Sequence, residues 1–177
     1  GGLAVGEPKD QMLEAVVWMN EFLPIHKPRY LMGVGSPEDL VECVARGIDL
    51  FDCALPTRVA RNGALFTRAG RVNIGKAYFQ DKLEPVDANC DCFTCVRFPA
   101  SYLHNLFKNR EMLGYRLASL HNLRFILSLM ERMQEAIHAG IFEDFRKNFL
   151  DTYQSTDEEA RLDQHQKRLG AHHTVNP

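Results

Sequence analysis

Two groups of residues have types and spacings that could do chemistry. The first centres on Asp52, which closes a short apolar run, Ile48 to Phe51, that reads as a strand ending in a carboxylate. Pro56 then stops the strand, and Arg58, Arg61 and Asn62 follow in what reads as a rigid loop. In a barrel of parallel strands the reacting groups sit at C-terminal strand ends. A carboxylate there, beside cations, suits a reaction on an anionic substrate. The same residues also fit an Asp that caps the next turn and arginines that are merely solvated, and the pattern leaves both readings open. The second group is Cys90-Asp91-Cys92-Phe93-Thr94-Cys95, a C-x-C-x-x-C cluster. A closed tetrahedral site needs a fourth ligand, and His104 and His121 are near. His104 lies mid-pattern in a helix beside Leu103 and Leu106. His121 reads as the start of a longer helix that can fold back over the cysteines, and it is the favoured ligand. Three thiolates and one neutral imidazole leave no open coordination position, so the ion expected is a structural zinc that activates no water.

The elements that must position these groups begin as a βα repeat. A glycine-rich turn over residues 1–7 follows a presumed strand. Pro8 and Asp10 open a helix carrying Met12, Leu13, Val16, Val17, Met19 and Phe22 on a broad apolar face. Arg29 to Val34 reads as a strand. Ser36 and Pro37 then start a helix that closes at Gly47, and the strand ending at Asp52 comes next. Short, almost wholly apolar strands alternating with helices are the mark of a parallel sheet or barrel, covered by helices on one face and a packed interior on the other. The rhythm breaks after Asp52. Residues 63–89 read as a hairpin-rich insertion, helices resume at Pro99, a longer helix starts near His121 and ends at Gly140, and Phe142 to Tyr153 make one further helix. From Gln154 the chain is polar and charged and reads as a solvated tail, in which His172-His173 is a minor metal-binding possibility.

Composition sets the outer bounds. The 177 residues suffice for one ordinary core, and 45% apolar with 25% charged residues is ordinary for a globular protein. A net charge of -2 gives no global nucleic-acid signature, so any RNA contact must come from a local patch. No apolar run approaches the roughly 20 residues of a membrane helix, and no signal-peptide pattern is present. Five cysteines, three of them between positions 90 and 95, favour a metal site over disulfides. Cys43 reads as a small core residue, and Cys53 as core or pocket edge. A start at Gly1-Gly2-Leu3 without methionine reads as the middle of a larger protein.

Taken together, Gly-Gly-Leu-Ala-Val-Gly-Glu (1–7), Tyr-Leu-Met-Gly-Val-Gly (30–35), Phe-Asp-Cys-Ala-Leu-Pro-Thr-Arg (51–58), Arg-Asn-Gly (61–63) and the cysteine cluster with His121 occur in one order. In this order they resemble the C-terminal half of bacterial tRNA-guanine transglycosylases, over roughly residues 1–153. The resemblance implies an α/β fold: the C-terminal part of a (β/α)8 TIM barrel with a zinc-binding insertion subdomain. Its division would be 1–62 for the last barrel strands and helices, 63–121 for the zinc insertion, 122–153 for C-terminal helices and 154–177 for the tail. It implies a cytoplasmic pentosyltransferase that exchanges the wobble guanine of tRNA with a GUN anticodon for 7-aminomethyl-7-deazaguanine (preQ1), acting as a homodimer with no membrane partner.

The resemblance also implies roles for residues. Asp52 would be the nucleophile, with Asp49 the alternative. Gly2, Leu3 and Ala4 would bind the base edge through their backbone, Glu7 would steady that segment, and Met32 would stack on the base. Arg58, Arg61 and Asn62, helped by Asp39, would contact anticodon-loop nucleotides, while Cys90, Cys92, Cys95 and His121 would hold zinc. Val5 matches the bacterial, preQ1-using members. Ser36 departs from the family, standing where other members have lysine. The family's general acid/base aspartate comes from the N-terminal half, so this chain alone is expected to be inactive. The competing reading is a non-catalytic half-barrel zinc module that serves as a tRNA-docking or dimerisation subunit.

Overall fold

A computed structural model describes residues 8–154. The readings of the 1–7 turn, of the tail beyond Gln154 and of His172-His173 lie outside the described residues.

The first elements follow the expected alternation: α1 (Lys9–Phe22), β1 (Tyr30–Met32), α2 (Pro37–Ala45) and β2 (Leu50–Asp52). Both strands are shorter than the apolar runs that announced them. β1 and β2 pair in parallel, with Tyr30 opposite Leu50, Leu31 opposite Phe51 and Met32 opposite Asp52. Side chains alternate across a strand, so Leu31 and Phe51 point into the main core while Tyr30, Met32, Leu50 and Asp52 share the other face. That other face is exposed, with Met32 retaining 61% of its accessible surface. The expectation of strands buried on both faces therefore holds for one face only. α1 is similar: Met12 and Val16 are buried, whereas Val17, Trp18, Met19 and Phe22 are exposed.

The segment after Asp52 corrects a second expectation. Pro56 does not lead into a loop, because residues Leu55–Arg61 form a helix, α3. Proline lacks only an N–H that the first helical turn leaves unpaired anyway, so here it starts a helix rather than preventing one. The expected hairpin follows, with β3 (Ala64–Thr67) antiparallel to β4 (Gly70–Asn73), then a single 3-10 turn at Ala77–Phe79. A short helix, α4 (Phe93–Arg97), lies within the cysteine cluster, and α5 spans Ala100–Lys108.

The longest element, α6, runs unbroken from Met112 to His138, 27 residues, about 40 Å at 1.5 Å per residue. The helix start expected near His121 is thus wrong: His121 lies mid-helix. Gly114 and Arg116 obscure the apolar period in the first turns. Gly114 is needed there, since a Cβ would sit 3.0 Å from the Leu106 Cβ on α5. Gly140 (φ 70°) ends α6 as expected. α7 (Phe142–Thr152) then returns across α2, stacking Phe149 on Tyr153 with ring centroids 5.0 Å apart. Gln154, assigned to the tail by its polarity, is tied by a bridge to Gly70. Among the described residues no helix is long and apolar enough to cross a membrane.

One main core joins α1, α2, α6 and α7 around Val16, Leu40, Val41 and Met133, with the fully buried Cys43 among them. A second joins β3 and the hairpin to α5 and α6 around Leu65, Ile74, Leu103 and Leu117.

An ion-pair network locks α7 to α2. Arg146 donates from Nε and Nη2 to the two Glu42 oxygens at 3.2 and 3.1 Å, and Arg46 also pairs with Glu42. Burial opposes ionisation of Glu42, but the hydrogen bonds from Arg46 and Arg146 outweigh it, so its carboxyl is held below the usual value. A carboxyl with a depressed folded pKa stabilises the fold above its unfolded pKa, and that contribution is lost as pH falls through the folded value. Glu42→Gln is therefore expected to lower stability by about 1 kcal/mol near neutral pH. The difference from the parent should shrink as pH falls below the ordinary carboxyl range and vanish once Glu42 is protonated in the folded state. Urea melts across that range test it, and a pH-independent difference would refute the assignment.

Candidate active site and metal centre

The parallel register places Met32 beside Asp52 at the C-terminal ends of β1 and β2. Tyr30, two residues before Met32 on the same face, donates its hydroxyl to Asp52 Oδ1 at 2.5 Å. That hydrogen bond is the main cause of a raised Tyr30 pKa, so the phenol stays protonated and acts as the donor. The strand ends are fixed from behind by Cys53. Its Sγ meets the Gly33 carbonyl at 3.3 Å and accepts from Leu55 N at 3.3 Å. The β1–α2 connection passes so close that a Cβ on Gly35 would lie 2.4 Å from the Cys53 Cβ, which only glycine permits. Cys53 is thus a packing wedge behind the site. Asp49 sits just ahead of β2, at the opposite strand end, and its Oδ2 accepts from Arg29 N at 2.8 Å. Its carboxylate holds the entry to the strand, which separates it from the Asp52 face.

α3 leaves directly from this strand end. Arg58 and Arg61 are one turn apart on it and exposed, and Asn62 is its C-cap, donating from Nδ2 to the Arg58 carbonyl at 3.1 Å. The arginines are carried by a helix rather than a loop. Asp39 is differently placed from the role expected for it. Both its oxygens are engaged, Oδ1 by Lys9 at 2.8 Å and Oδ2 by the Ser36 hydroxyl at 2.5 Å. Burial opposes the Lys9 charge, and the Asp39 bond and charge outweigh that. The pair closes the start of α2 against α1.

The candidate metal centre is built from α4, the loop before it and α6. Cys90 lies in the preceding loop, and Cys92 caps α4 with its Sγ accepting from Cys95 N at 3.3 Å. The one ligand atom from each of Cys90, Cys92, Cys95 and His121 lies within 4.8 Å of every other. His121 Nδ1 is 3.6, 3.5 and 3.3 Å from the three sulfurs. A tetrahedral ion with metal–sulfur and metal–nitrogen bonds of roughly 2.3 and 2.0 Å has N···S edges of about 3.5 Å, so these donors fit a four-coordinate metal. His121 Nε2 donates to the Phe66 carbonyl at 2.7 Å, which fixes the tautomer and turns the Nδ1 lone pair toward the cysteines. Burial opposes a charge on His121 and its bonds to Cys90 and Cys92 favour one, leaving a pKa of about 10 without an ion. Hydrogen bonds from Cys90 and Cys95 hold Cys92 as the thiolate. His104 is not a ligand: its Nδ1 donates to the Ile74 carbonyl at 2.8 Å in the second core.

The metal-bearing part of α6 is tied to α3 as well. Asn122, fully buried, accepts from Phe66 N at 3.0 Å and donates to the Pro56 and Ala64 carbonyls at 2.9 and 3.0 Å. Thr94 Oγ1 donates to the Leu117 carbonyl at 2.8 Å, joining α4 to α6. Arg124 forks onto both oxygens of Asp91 at 2.7 Å.

The family description queuine tRNA-ribosyltransferase matches residues 1–155. The chain belongs to this family. Proteins named queuine tRNA-ribosyltransferase are similar over most of its length. One from Dehalococcoides mccartyi is 53% identical over 171 residues, covering 97% of this chain and 44% of the relative. One from Herpetosiphon aurantiacus is 56% identical over 155 residues, covering 88% and 40%. One from Dictyoglomus turgidum is 49% identical over 163 residues, covering 92% and 42%. The chain thus spans less than half the length of these queuine tRNA-ribosyltransferases.

Of the residues singled out by sequence, Met32 and Asp52 are brought side by side, the arginines follow on α3, and the four metal donors converge. Asp39 is held in an ion pair with Lys9, and Gly2, Leu3, Ala4 and Glu7 lie outside the described residues. Sequence reasoning missed Tyr30 and Asn122. Tyr30 carried a usable signal, because strand period 2 puts it on the Met32 face. Asn122 carried none. Replacing one donor should empty the metal centre of this family member. Cys92→Ser is expected to lose stoichiometric metal by elemental analysis and to unfold at lower temperature, whereas undiminished metal would disprove the ligand set.

Proposed function

We propose that this chain is the C-terminal, nucleophile-bearing part of a tRNA-guanine transglycosylase that exchanges the wobble guanine of tRNA with a GUN anticodon for preQ1. β1 and β2 are then two neighbouring strands of a (β/α)8 barrel, with Tyr30, Met32, Leu50 and Asp52 on its inward face. The Cys3His ion is zinc, which when bound supplies a structural cross-link. The reading extends to a cytoplasmic homodimer. The observation that carries it is the Met32–Asp52 pairing at a strand end with the Tyr30 hydroxyl on the carboxylate.

The chemistry runs as two displacements at the ribose C1′. The Asp52 carboxylate attacks C1′ as the bond to guanine N9 breaks, and the electron pair leaves with the base. The departing guanine needs a proton from a general acid supplied outside residues 8–154. The incoming base then attacks C1′ through N9 from the face guanine left. The aspartyl ester C–O bond breaks, the N9 proton is lost to a base, and two inversions restore the β configuration. Tyr30 occupies Oδ1 and so presents Oδ2 for attack. Met32 offers an adaptable, polarisable thioether against which a purine-like base can stack. The target nucleotide must be splayed out to reach this face. Arg58 and Arg61 on α3 are positioned to hold neighbouring phosphates or base edges. Gly2, Leu3 and Ala4, steadied by Glu7, complete the base pocket in this reading. Asp39 takes no part as long as Lys9 and Ser36 occupy it. A non-catalytic docking module would have no use for the Tyr30–Asp52 pair.

Two outcomes test the reading in a protein of full family length. Incubated with tRNA, the parent should yield a denaturation-stable protein–RNA adduct and Asp52→Asn none; an undiminished adduct in the variant would remove Asp52 from its role. Tyr30→Phe should keep tRNA affinity and lower kcat by about 10- to 100-fold, the value of one hydrogen bond to a charged group. An unchanged kcat would show that the hydroxyl does not orient the nucleophile.

A further inference from the structure

Away from the strand ends, a small open cleft of about 40 Å³ lies between the loop that enters the metal centre and one face of α6. Arg124, Ser128 and Arg132, spaced one helical turn apart, line it from α6. Arg68, from the β3–β4 turn, and Asp87 and Asp91 line it from the other side. Cys90 forms part of its wall, so the cleft is anchored to the metal loop.

The charges in this cleft are unevenly matched. Both acidic groups have hydrogen-bond partners, but only Asp91 is paired with a cation. Asp87 accepts from Arg68 N at 3.1 Å through Oδ2 and from Asn89 N at 2.9 Å through Oδ1, and Asp91 is held by the Arg124 fork. Arg124 is likewise spent, since its Nη1 reaches Glu131 at 3.0 Å. Arg68 and Arg132 differ: neither forms an ion pair with a carboxylate among the described residues. Arg68 reaches only the Asn89 carbonyl, at 3.4 Å, and Arg132 lies over the Phe145 ring at 5.1 Å. Burial and then the charge of Arg68 make protonation of Arg132 harder, with Glu135 opposing them without a contact pair. Two guanidiniums thus repel each other across the cleft, and Asp87, which bonds only backbone amides, is the one lining carboxylate among the described residues without a cation partner, so the guanidiniums remain in excess. The Ser128 hydroxyl lies on the α6 wall between Arg124 and Arg132, and a bound anion would relieve the repulsion.

We infer that this cleft binds a phosphate group of the RNA backbone, through Arg68, Arg132 and Ser128. The inference rests on the tRNA reading above for the identity of the polymer, while the anion chemistry comes from the cleft itself. A tetrahedral phosphate diester carries one negative charge and several acceptor oxygens, which suits two forked cations and a hydroxyl. Such a contact fixes where the RNA lies and reads no sequence. It would hold RNA against the metal-bearing half of the chain, separately from Arg58 and Arg61.

The test uses the zinc-loaded protein at full family length. Arg68→Gln/Arg132→Gln is expected to weaken tRNA binding about 3- to 10-fold near 0.15 M salt. It should also reduce the slope of log Kd against log salt by roughly 1, with kcat at saturating tRNA and metal content unchanged. The Arg68→Lys/Arg132→Lys protein, keeping the charges, should recover most of the slope. Unchanged affinity and slope in the glutamine variant would overturn the inference. So would a variant that loses binding of inorganic phosphate, followed by ³¹P NMR, yet holds tRNA as the parent does, because the cleft would then serve a free anion. Guanine exchange by the parent protein is scored separately. Its absence would strike the proposed function, whereas normal exchange with a variant that binds tRNA like the parent would strike this inference alone.

Discussion

The backbone of one residue holds the two halves of this structure together. The Phe66 carbonyl accepts from His121 and the Phe66 N–H donates to Asn122, so adjacent residues of α6 grip both polar groups of a single buried strand residue. His121 faces the three cysteines with its other nitrogen, and Asn122 reaches the Pro56 carbonyl at the start of α3. The metal centre, the hairpin, the arginine-bearing helix and, four residues before Pro56, Asp52 are therefore linked by hydrogen bonds that leave no free group on Asn122. Each such buried group, if stripped of its partner, costs about 1–3 kcal/mol. A shift of α6 by a fraction of a turn would orphan several at once, so the helix is held in register.

Against that rigid block stands a face built differently. Tyr30, Met32, Leu50 and Asp52 are exposed, as are Trp18, Met19 and Phe22 on α1. The strand residues share one side of the β1–β2 pair, and exposed apolar surface of this kind marks a contact face. In the proposed barrel the first set lines the interior and meets substrate. Behind it, the Gly35–Cys53 approach and the Leu55 amide keep the strand ends from relaxing toward solvent.

Much of this was legible in the sequence, and what was not has physical causes. The cysteines announced themselves because their spacing is local, and His121 was preferred to His104 on its ability to return over them; His121 lies against the three sulfurs, whereas His104 bonds the Ile74 carbonyl. The pairing of β1 with β2 followed from apolar runs separated by a capped helix. α3 was hidden because proline reads as a stop unless its place in the first helical turn is known. The continuity of α6 from Met112 through His121 was hidden because Gly114, a poor helix former, interrupts the period where α5 comes close. Asp39 looked free because Lys9 is distant in sequence. Asn122 had no signal at all: an amide between His121 and Leu123 looks like a surface residue until the strand it satisfies is seen. The arginines of the α6 cleft were equally silent, since Arg68 is far from Arg132 in the chain.

The grip on Phe66 also bears on how the chain comes together. Phe66 and Asn122 are 56 residues apart, so closing that contact in an extended chain means closing a long loop. Cys92 and His121 are 29 apart, and an ion bridging them short-circuits about half of that loop. Halving a loop lowers its closure cost by only about 0.6 kcal/mol. The larger effect is on the order of events. With an ion in place, α6 would arrive at β3 already aligned, and the slow search for a distant partner would become the docking of a preassembled corner. Ion capture at this site would then work as a nucleation step as well as a cross-link.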